Sequence, residues 1–303
     1  MTFDFMGNRY KAFAFSGTLS ALSIIIILVF GFNYGIDFRG GNLIQVRFNS
    51  PMDEVKIRDA FEKMGKLYFK PDQLVIQSVA GAGVGKEYII QYPASPSDDP
   101  IYAAQHSEIL SKLKEFAPYD DNYIQTSNIG PTVGSEMKRQ AIVASILSII
   151  GILLYLAWRF ENQSAIGAVL SIVHDLVVVS GFVAALQIEF DVTVLAAILT
   201  MLGYSVNDSI VVLDRIRENR RLYKDRGMAD LINDSINQTL GRTIRTSVTV
   251  LFTLFSLFFF GGTTIHNFSL TLLIGVFFGT YSSIFIASPV LIHMAPPKRK
   301  HSR

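Results

Sequence analysis

The chain has 303 residues, of which 50% are hydrophobic and only 17% charged, with a formal net charge of +2. That balance gives no general attraction to nucleic acid, and the lack of cysteine excludes disulfide scaffolds, cysteine metal sites and a cysteine nucleophile. Positive mean hydropathy and apolar runs of about 20 residues point to an integral membrane protein.

Six spans are expected, at roughly 12–32, 141–157, 165–186, 192–213, 246–262 and 268–292. The apolar core of the first is too long for a signal-peptide h-region and no A-x-A site follows it, so it reads as an anchor. Arg9 and Lys11 precede the first span, and Arg159 lies between the second and third. Arg215, Arg217, Arg220, Arg221, Lys224, Arg226, Arg242 and Arg245 lie between the fourth and fifth, and Lys298, Arg299, Lys300 and Arg303 follow the sixth. "QIEFD" and "GGTTIHNF" on the other side carry no Lys or Arg. The bias places both termini in the cytoplasm and residues 33–140 outside. The expected domains are residues 1–32, the outer domain 33–140, the spans in 141–292 and a basic tail at 293–303.

"GIDFRGG" follows the first span. Gly40 and Gly41 allow backbone geometry closed to other residues, which favours a tight turn into the first strand; Gly35 opens the motif, and Asp37 and Arg39 could pair or bind headgroups. "NLIQVRF" sets Ile44, Val46 and Phe48 on one face of a strand. Ser50 then reads as a helix N-cap with Pro51 at the first helical position and Asp53 three residues after the cap, and Val55, Phe61 and Met64 can share the inner face. Strands are expected at 72–79, 86–92 and 121–127, with a helix at about 100–117 burying Tyr102, His106, Ile109, Leu113 and Phe116. The order β-α-β-β-α-β implies a ferredoxin-like domain. "AGAGVGKE" opens no helix and has Glu87 after Lys86, so it reads as a hairpin loop, not a phosphate cradle.

The polar residues within spans carry the chemistry. His174 and Asp175 fall near the middle of the third span; helix neighbours point about 100° apart, so each is expected to find partners on another helix. Asp208 lies six residues before Asp214, with Tyr204, Ser205 and Asn207 placed to hydrogen-bond around it. An anion there is costly unless a cation stands nearby, which suits Asp208 to proton uptake and release, with Arg242 as the candidate cation. Arg242 and Arg245 could equally snorkel to the interface. The competing reading is polar pairs that join helices structurally. An aspartyl protease dyad is disfavoured, because Asp175 and Asp208 differ in expected depth by roughly 6–8 Å and neither sits in G-x-G-D. Gly275 and Gly279, continued by Ser283, form a small-residue face for close helix packing. Residues 214–245 read as a basic amphipathic loop on the inner surface, its later part carrying Leu231, Ile232, Ile236 and Leu240.

Taken together, "FDFMGNR", "GIDFRGG", "HD", "GYSVNDSIVVLDRIREN", "QTLGRTIRTS" and "FSLTLLIGVFFGTYSSIFIASP" resemble the SecF branch of the SecD/SecF protein-export family over nearly the whole chain. The resemblance implies an accessory subunit that, with SecD and the Sec channel, uses proton-motive force to move unfolded preprotein on the outer side of the inner membrane, without enzymatic chemistry or cofactor. It relates the chain to the proton-driven RND exporters. It also implies Asp208 as the relay carboxylate, Arg242 as the arginine beside it, and a role for the His174–Asp175 pair. Arg245 departs from the family pattern. The fold expected is a polytopic α-helical membrane protein with six transmembrane helices, joined to one α+β ferredoxin-like domain between helices 1 and 2. A lipid or small-molecule exporter and a passive scaffold are the alternative functions.

Overall fold

The computed structural model describes residues 3–50, 52–65, 74–79, 87–93, 100–119 and 124–294. The chain divides into two compact units, Met1–Asn33 with Ala144–Arg303, and Tyr34–Val143.

In the second unit α2 (Ile36–Arg39) is a single turn ahead of β1 (Gly41–Arg47). Then come α3 (Glu54–Gly65), β2 (Val75–Val79), β3 (Glu87–Tyr92), α4 (Pro100–Phe116) and β4 (Gln125–Ile129). The sheet order is β2-β3-β1-β4, with every neighbouring pair antiparallel. Period-two alternation buries Ile44, Val46 and Phe48 against Tyr88, Ile90, Ile57, Phe61, Ile109 and Leu113. Gly40 and Gly41 have φ of +71° and +154°, and a Cβ at Gly41 would lie 3.0 Å from the Tyr92 carbonyl. Both glycines are thus required by the turn.

Several local expectations change here. The helix begins at Glu54, capped by Asp53, whose Oδ1 accepts from the Val55 amide at 3.4 Å; Ser50 is not its cap. A carboxylate caps as well as a hydroxyl and adds favourable charge at that end. With that start, Ile57, Ala60 and Phe61 turn inward and Val55 is 63% exposed. Ala117 replaces Phe116 on the inner face of the second helical segment, leaving Phe116 exposed. The last strand lies at Gln125–Ile129, further on than 121–127. "AGAGVGK", Pro51 and the side chains of Met64, Tyr102 and His106 lie outside the described residues.

Among the described residues, six helices are long and apolar enough to cross a membrane. They are α1 (Arg9–Phe30), α5 (Pro131–Arg159), α6 (Asn162–Ala185), α7 (Val192–Leu222), α8 (Met228–Phe260), and a sixth span made of α9 (Gly262–Ser282), a π-helical turn (Ser283–Ala287) and α10 (Ser288–Met294). α5 starts ten residues before the expected span, and its part up to Val143 belongs to the α/β unit. Asp191 caps α7 through Oδ1, which accepts from the Val194 amide at 2.7 Å.

α6, α7 and the sixth span form the centre, half or more of their apolar windows being buried, against 6% for α5 and 11% for α1. The bare apolar faces of α1 and α5 need lipid or another helix to cover them. Gly181 lies so close to Ser23 of α1, and Gly167 so close to the Ala287 carbonyl, that a Cβ on either would clash.

Residues 214–245 are not a separate surface loop. Residues 214–222 extend α7, and α8 already begins at Met228. The apolar stripe of Leu231, Ile232 and Ile236 is buried against the bundle core. Asn219 donates to Ser235 Oγ at 2.8 Å and to Gln238 Oε1 at 2.9 Å, joining the two extensions. Much of the basic charge is already paired: Arg159 with Asp214 at 2.5 Å, Arg217 and Arg220 with Glu161, and Arg226 with Asp234. "FDFMGNR" is held against α8, the Phe5 amide donating to Asn233 Oδ1 at 2.8 Å and the Phe3 amide to Asn237 Oδ1 at 2.9 Å.

Candidate functional site

Asp175 is fully buried, and its carboxylate is the hub of hydrogen bonds from three helices. Oδ2 accepts from Ser205 of α7 at 2.5 Å and from Ser282 of the sixth span at 2.7 Å. Ser171, one turn earlier on α6, donates to Ser282 at 2.8 Å. The other oxygen, Oδ1, lies 3.0 Å from His174 Nδ1. This corrects the expectation that adjacent residues could not pair. Their Cβ directions diverge, but Nδ1 lies near the backbone and the carboxylate reaches across to it. The far nitrogen, His174 Nε2, is buried without a partner.

Asp208 is 4% exposed. None of the three expected neighbours bonds it. Ser205 serves Asp175, Tyr204 donates to Ser247 at 3.2 Å, and Asn207 is exposed on the outside of α7. The helical period explains this: Ser205 and Asp208 are both buried, but Asn207 is rotated about 100° from Asp208. The donor to Asp208 is Ser283, at 3.3 Å. Ser282 and Ser283 are adjacent, so consecutive residues serve the two aspartates. Ser205, the donor to Asp175, precedes Asp208 by three residues, about 4.5 Å of rise along α7. No hydrogen bond joins the two carboxyls to each other.

The π-helical turn begins at Ser283. Pro289 accounts for it: proline donates no N–H, and its ring crowds the carbonyl four residues back, that of Phe285 within the turn. The Ser288 hydroxyl satisfies the displaced Ser283 carbonyl at 2.8 Å. π-turns of this kind concentrate at functional sites. Ser171, Ser282 and the turn were not anticipated from sequence, although Pro289 inside a span was a visible signal for the last.

Gly275 and Gly279 face α7. A Cβ at Gly275 would sit 2.7 Å from Met201 Cβ, and one at Gly279 would sit 3.1 Å from Ser205 Cβ. Their bareness brings Ser205 close enough for Ser205 and Ser282 to share one carboxylate oxygen. Arg242 is exposed on α8, next to the buried Thr243, and no ion pair joins it to Asp208. Thr243, one residue on, is buried, and its hydroxyl has no hydrogen-bond partner. Arg245 turns back along its own helix, donating to the Gly241 carbonyl at 2.8 Å. Gly35 precedes α2 in extended conformation, and Arg39 makes no ion pair with Asp37. No cluster of His, Asp or Glu able to hold a metal occurs among the described residues.

The chain matches the family "Protein export membrane protein SecD/SecF, C-terminal" over residues 108–296 and the "SecD/SecF GG Motif" over residues 25–52. It is 42% identical over 299 residues to Protein translocase subunit SecF of Magnetococcus marinus, covering 98% of this chain and 94% of that one. It is 38% identical to the Haemophilus influenzae protein of the same description, covering 97% of this chain and 89% of that one. A crystal structure of SecDF from Thermus thermophilus, a translocon-associated membrane protein, superposes with a TM-score of 0.85 at 35% identity, covering 97% of this chain. SecDF in a super-membrane-facing form matches at 0.68 with the same identity and coverage. This chain spans 39% of the length of each SecDF chain.

Proposed function

The chain belongs to the SecD/SecF family of protein-export membrane proteins, and from that premise we propose that it couples proton passage to polypeptide movement. It pairs with SecD beside the Sec channel of the inner membrane, with both termini cytoplasmic. The α/β unit lies outside, where it meets unfolded preprotein. Its β-α-β-β-α-β order and strand order β2-β3-β1-β4 support a ferredoxin-like assignment.

The observation that carries the proposal is the pair of buried carboxyls, Asp175 and Asp208, held by adjacent serines at the start of one π-helical turn. Neither forms an ion pair with Arg or Lys among the described residues. Ionisable groups placed this way inside spans mark ion pathways more often than structural pairs. Protonation changes what each carboxyl accepts, and Ser282 and Ser283 transmit that change to the sixth span. His174, with Nε2 unpaired, is the open end of the Asp175 cluster. The two SecDF structures match this chain unequally despite equal identity and coverage, which supports a mobile architecture in the relatives.

The test is release of a stalled preprotein from vesicles holding the Sec channel, SecD and this chain. An imposed proton gradient should accelerate release, and collapsing it should remove the acceleration. Equal rates in the two conditions would sink the proposal. In the same assay Arg242→Gln should slow gradient-driven release about fivefold, the equivalent of about 1 kcal/mol of Coulomb energy at a wet boundary. Arg245→Gln should leave the rate unchanged, because its guanidinium serves its own helix. Equal losses from both substitutions would contradict the assignment of Arg242.

A further inference from the structure

We propose that Phe5 is a positioning residue for the proton response, seating Phe285 so that the π-helical turn keeps Ser283 on Asp208. The inference rests on the proton-coupled reading above. It gives a part in that reading to "FDFMGNR", a motif remote in sequence from both carboxyls.

Residues 3–8 lie outside helix and strand, so their main-chain groups need partners from elsewhere. Two asparagines of α8 supply them. Asn237 serves both main-chain groups of one residue: its Oδ1 accepts from the Phe3 amide at 2.9 Å, and its Nδ2 donates to the Phe3 carbonyl at 2.8 Å. Asn233, one turn earlier on the same face, accepts from the amides of Phe5 at 2.8 Å and Met6 at 3.3 Å, and donates to the Phe3 carbonyl at 3.1 Å. Asp4 closes the turn that follows by accepting from the Gly7 amide at 2.8 Å. These bonds fix the backbone and so fix where the side chains go. Met6 is buried in the bundle core, and the Phe5 ring meets Phe285 edge to face, with centroids 5.8 Å apart at 64°.

Phe285 is where the backbone must yield, because its carbonyl is the one crowded by the Pro289 ring. The ring of Phe285 sets the direction of that movement. It stacks on Tyr281 at 5.0 Å and 28°, and the Tyr281 hydroxyl is anchored to α1, 3.1 Å from Ser16 Oγ and donating to the Ala12 carbonyl at 3.2 Å. Phe5 supplies a further contact, and aromatic pairs favour particular geometries over mere proximity. A π-helical turn holds one residue more than an α-helical turn, so losing it rotates one flank against the other by about 100°. Ser283 opens the turn, and its bond to Asp208, at 3.3 Å, has little margin for such a rotation.

Hydrogen exchange of the full chain in detergent, resolved by mass spectrometry, reads the turn without any transport. Phe5→Ala should speed exchange of the amides of residues 283–288 roughly tenfold and leave α7 unchanged. Asn233→Ala combined with Asn237→Ala frees the segment's main chain and should do the same. Phe5→Leu keeps most of the bulk and should stay within about threefold of the native chain. In the vesicle assay, with equal amounts of assembled complex, Phe5→Ala should lower gradient-driven release about fivefold and Phe5→Leu should restore most of it. A merely structural role would instead speed exchange throughout α6 and α7 and slow release equally with and without the gradient. That result overturns the proposal, as does unchanged exchange at 283–288 or normal gradient-driven release in Phe5→Ala. A native chain that ignores the gradient overturns the coupling reading and the positioning role with it, whereas unchanged exchange overturns the seat alone.

Discussion

Asp208→Asn is expected to abolish gradient-stimulated release while leaving the bundle folded and the complex with SecD assembled. Asparagine keeps the shape of the side chain, and its Oδ1 still accepts from Ser283 at the 3.3 Å position now held by the carboxylate. Only the capacity to gain and lose a proton is removed. One elementary charge crossing 100 mV is worth about 2.3 kcal/mol, so a single coupled proton accelerates a limiting step by about 50-fold at most. The variant should fall to the rate seen without a gradient. Asp208→Glu retains a titratable group and should keep part of the response, which separates lost protonation from altered packing. Full stimulation in Asp208→Asn, measured in vesicles with equal amounts of assembled complex, would make this a passive scaffold.

The second large effect concerns packing. Gly275→Leu should destabilise the bundle by about 3 kcal/mol or more, at the upper end of the usual penalty for overpacking. The reason is local. A Cβ at position 275 would lie 2.7 Å from Met201 Cβ and 2.8 Å from its Cγ, and Met201 is completely buried. The near atoms belong to the base of the side chain, so a change of rotamer relieves little, and α9 must move away from α7. That movement draws Ser282 and Ser205 apart and loosens the bonds to Asp175. Gly17→Ala and Gly151→Ala are the controls, because nothing lies within 4 Å of either added Cβ. They should be neutral or stabilising by up to about 1 kcal/mol, since alanine suits a helix better than glycine. Thermal unfolding in detergent reads all three, and similar losses at Gly275 and Gly17 would refute the close contact.

Much of the plan was legible in the residues themselves. Hydropathy located six spans, because a bilayer demands long apolar runs and marks them plainly. Alternation of Ile44, Val46 and Phe48 located a strand whose inner face is fully buried. Where two local devices compete, linear order does not choose between them. Ser50 and Asp53 can each cap a helix, and only the packing of Ile57 and Phe61 selected Asp53. The arginines of 214–226 looked like a membrane-surface patch because two of their partners, Asp234 and Glu161, could not be assigned from linear order.

By itself the sequence determined that polar groups lie within apolar spans, and which ones: His174, Asp175, Asp208 and the small residues Gly275 and Gly279. Those are matters of composition along a line, and a helix converts them into depth at a fixed rise per residue. Tertiary structure alone decided who serves whom. It gave Ser205 to Asp175 and Ser283 to Asp208, turned Asn207 outward, and left no ion pair between Arg242 and Asp208. The physical reason is that a hydrogen bond between helices depends on their rotation and separation. Both are fixed by glycine contacts and a proline-widened turn remote in sequence from the carboxyls they position.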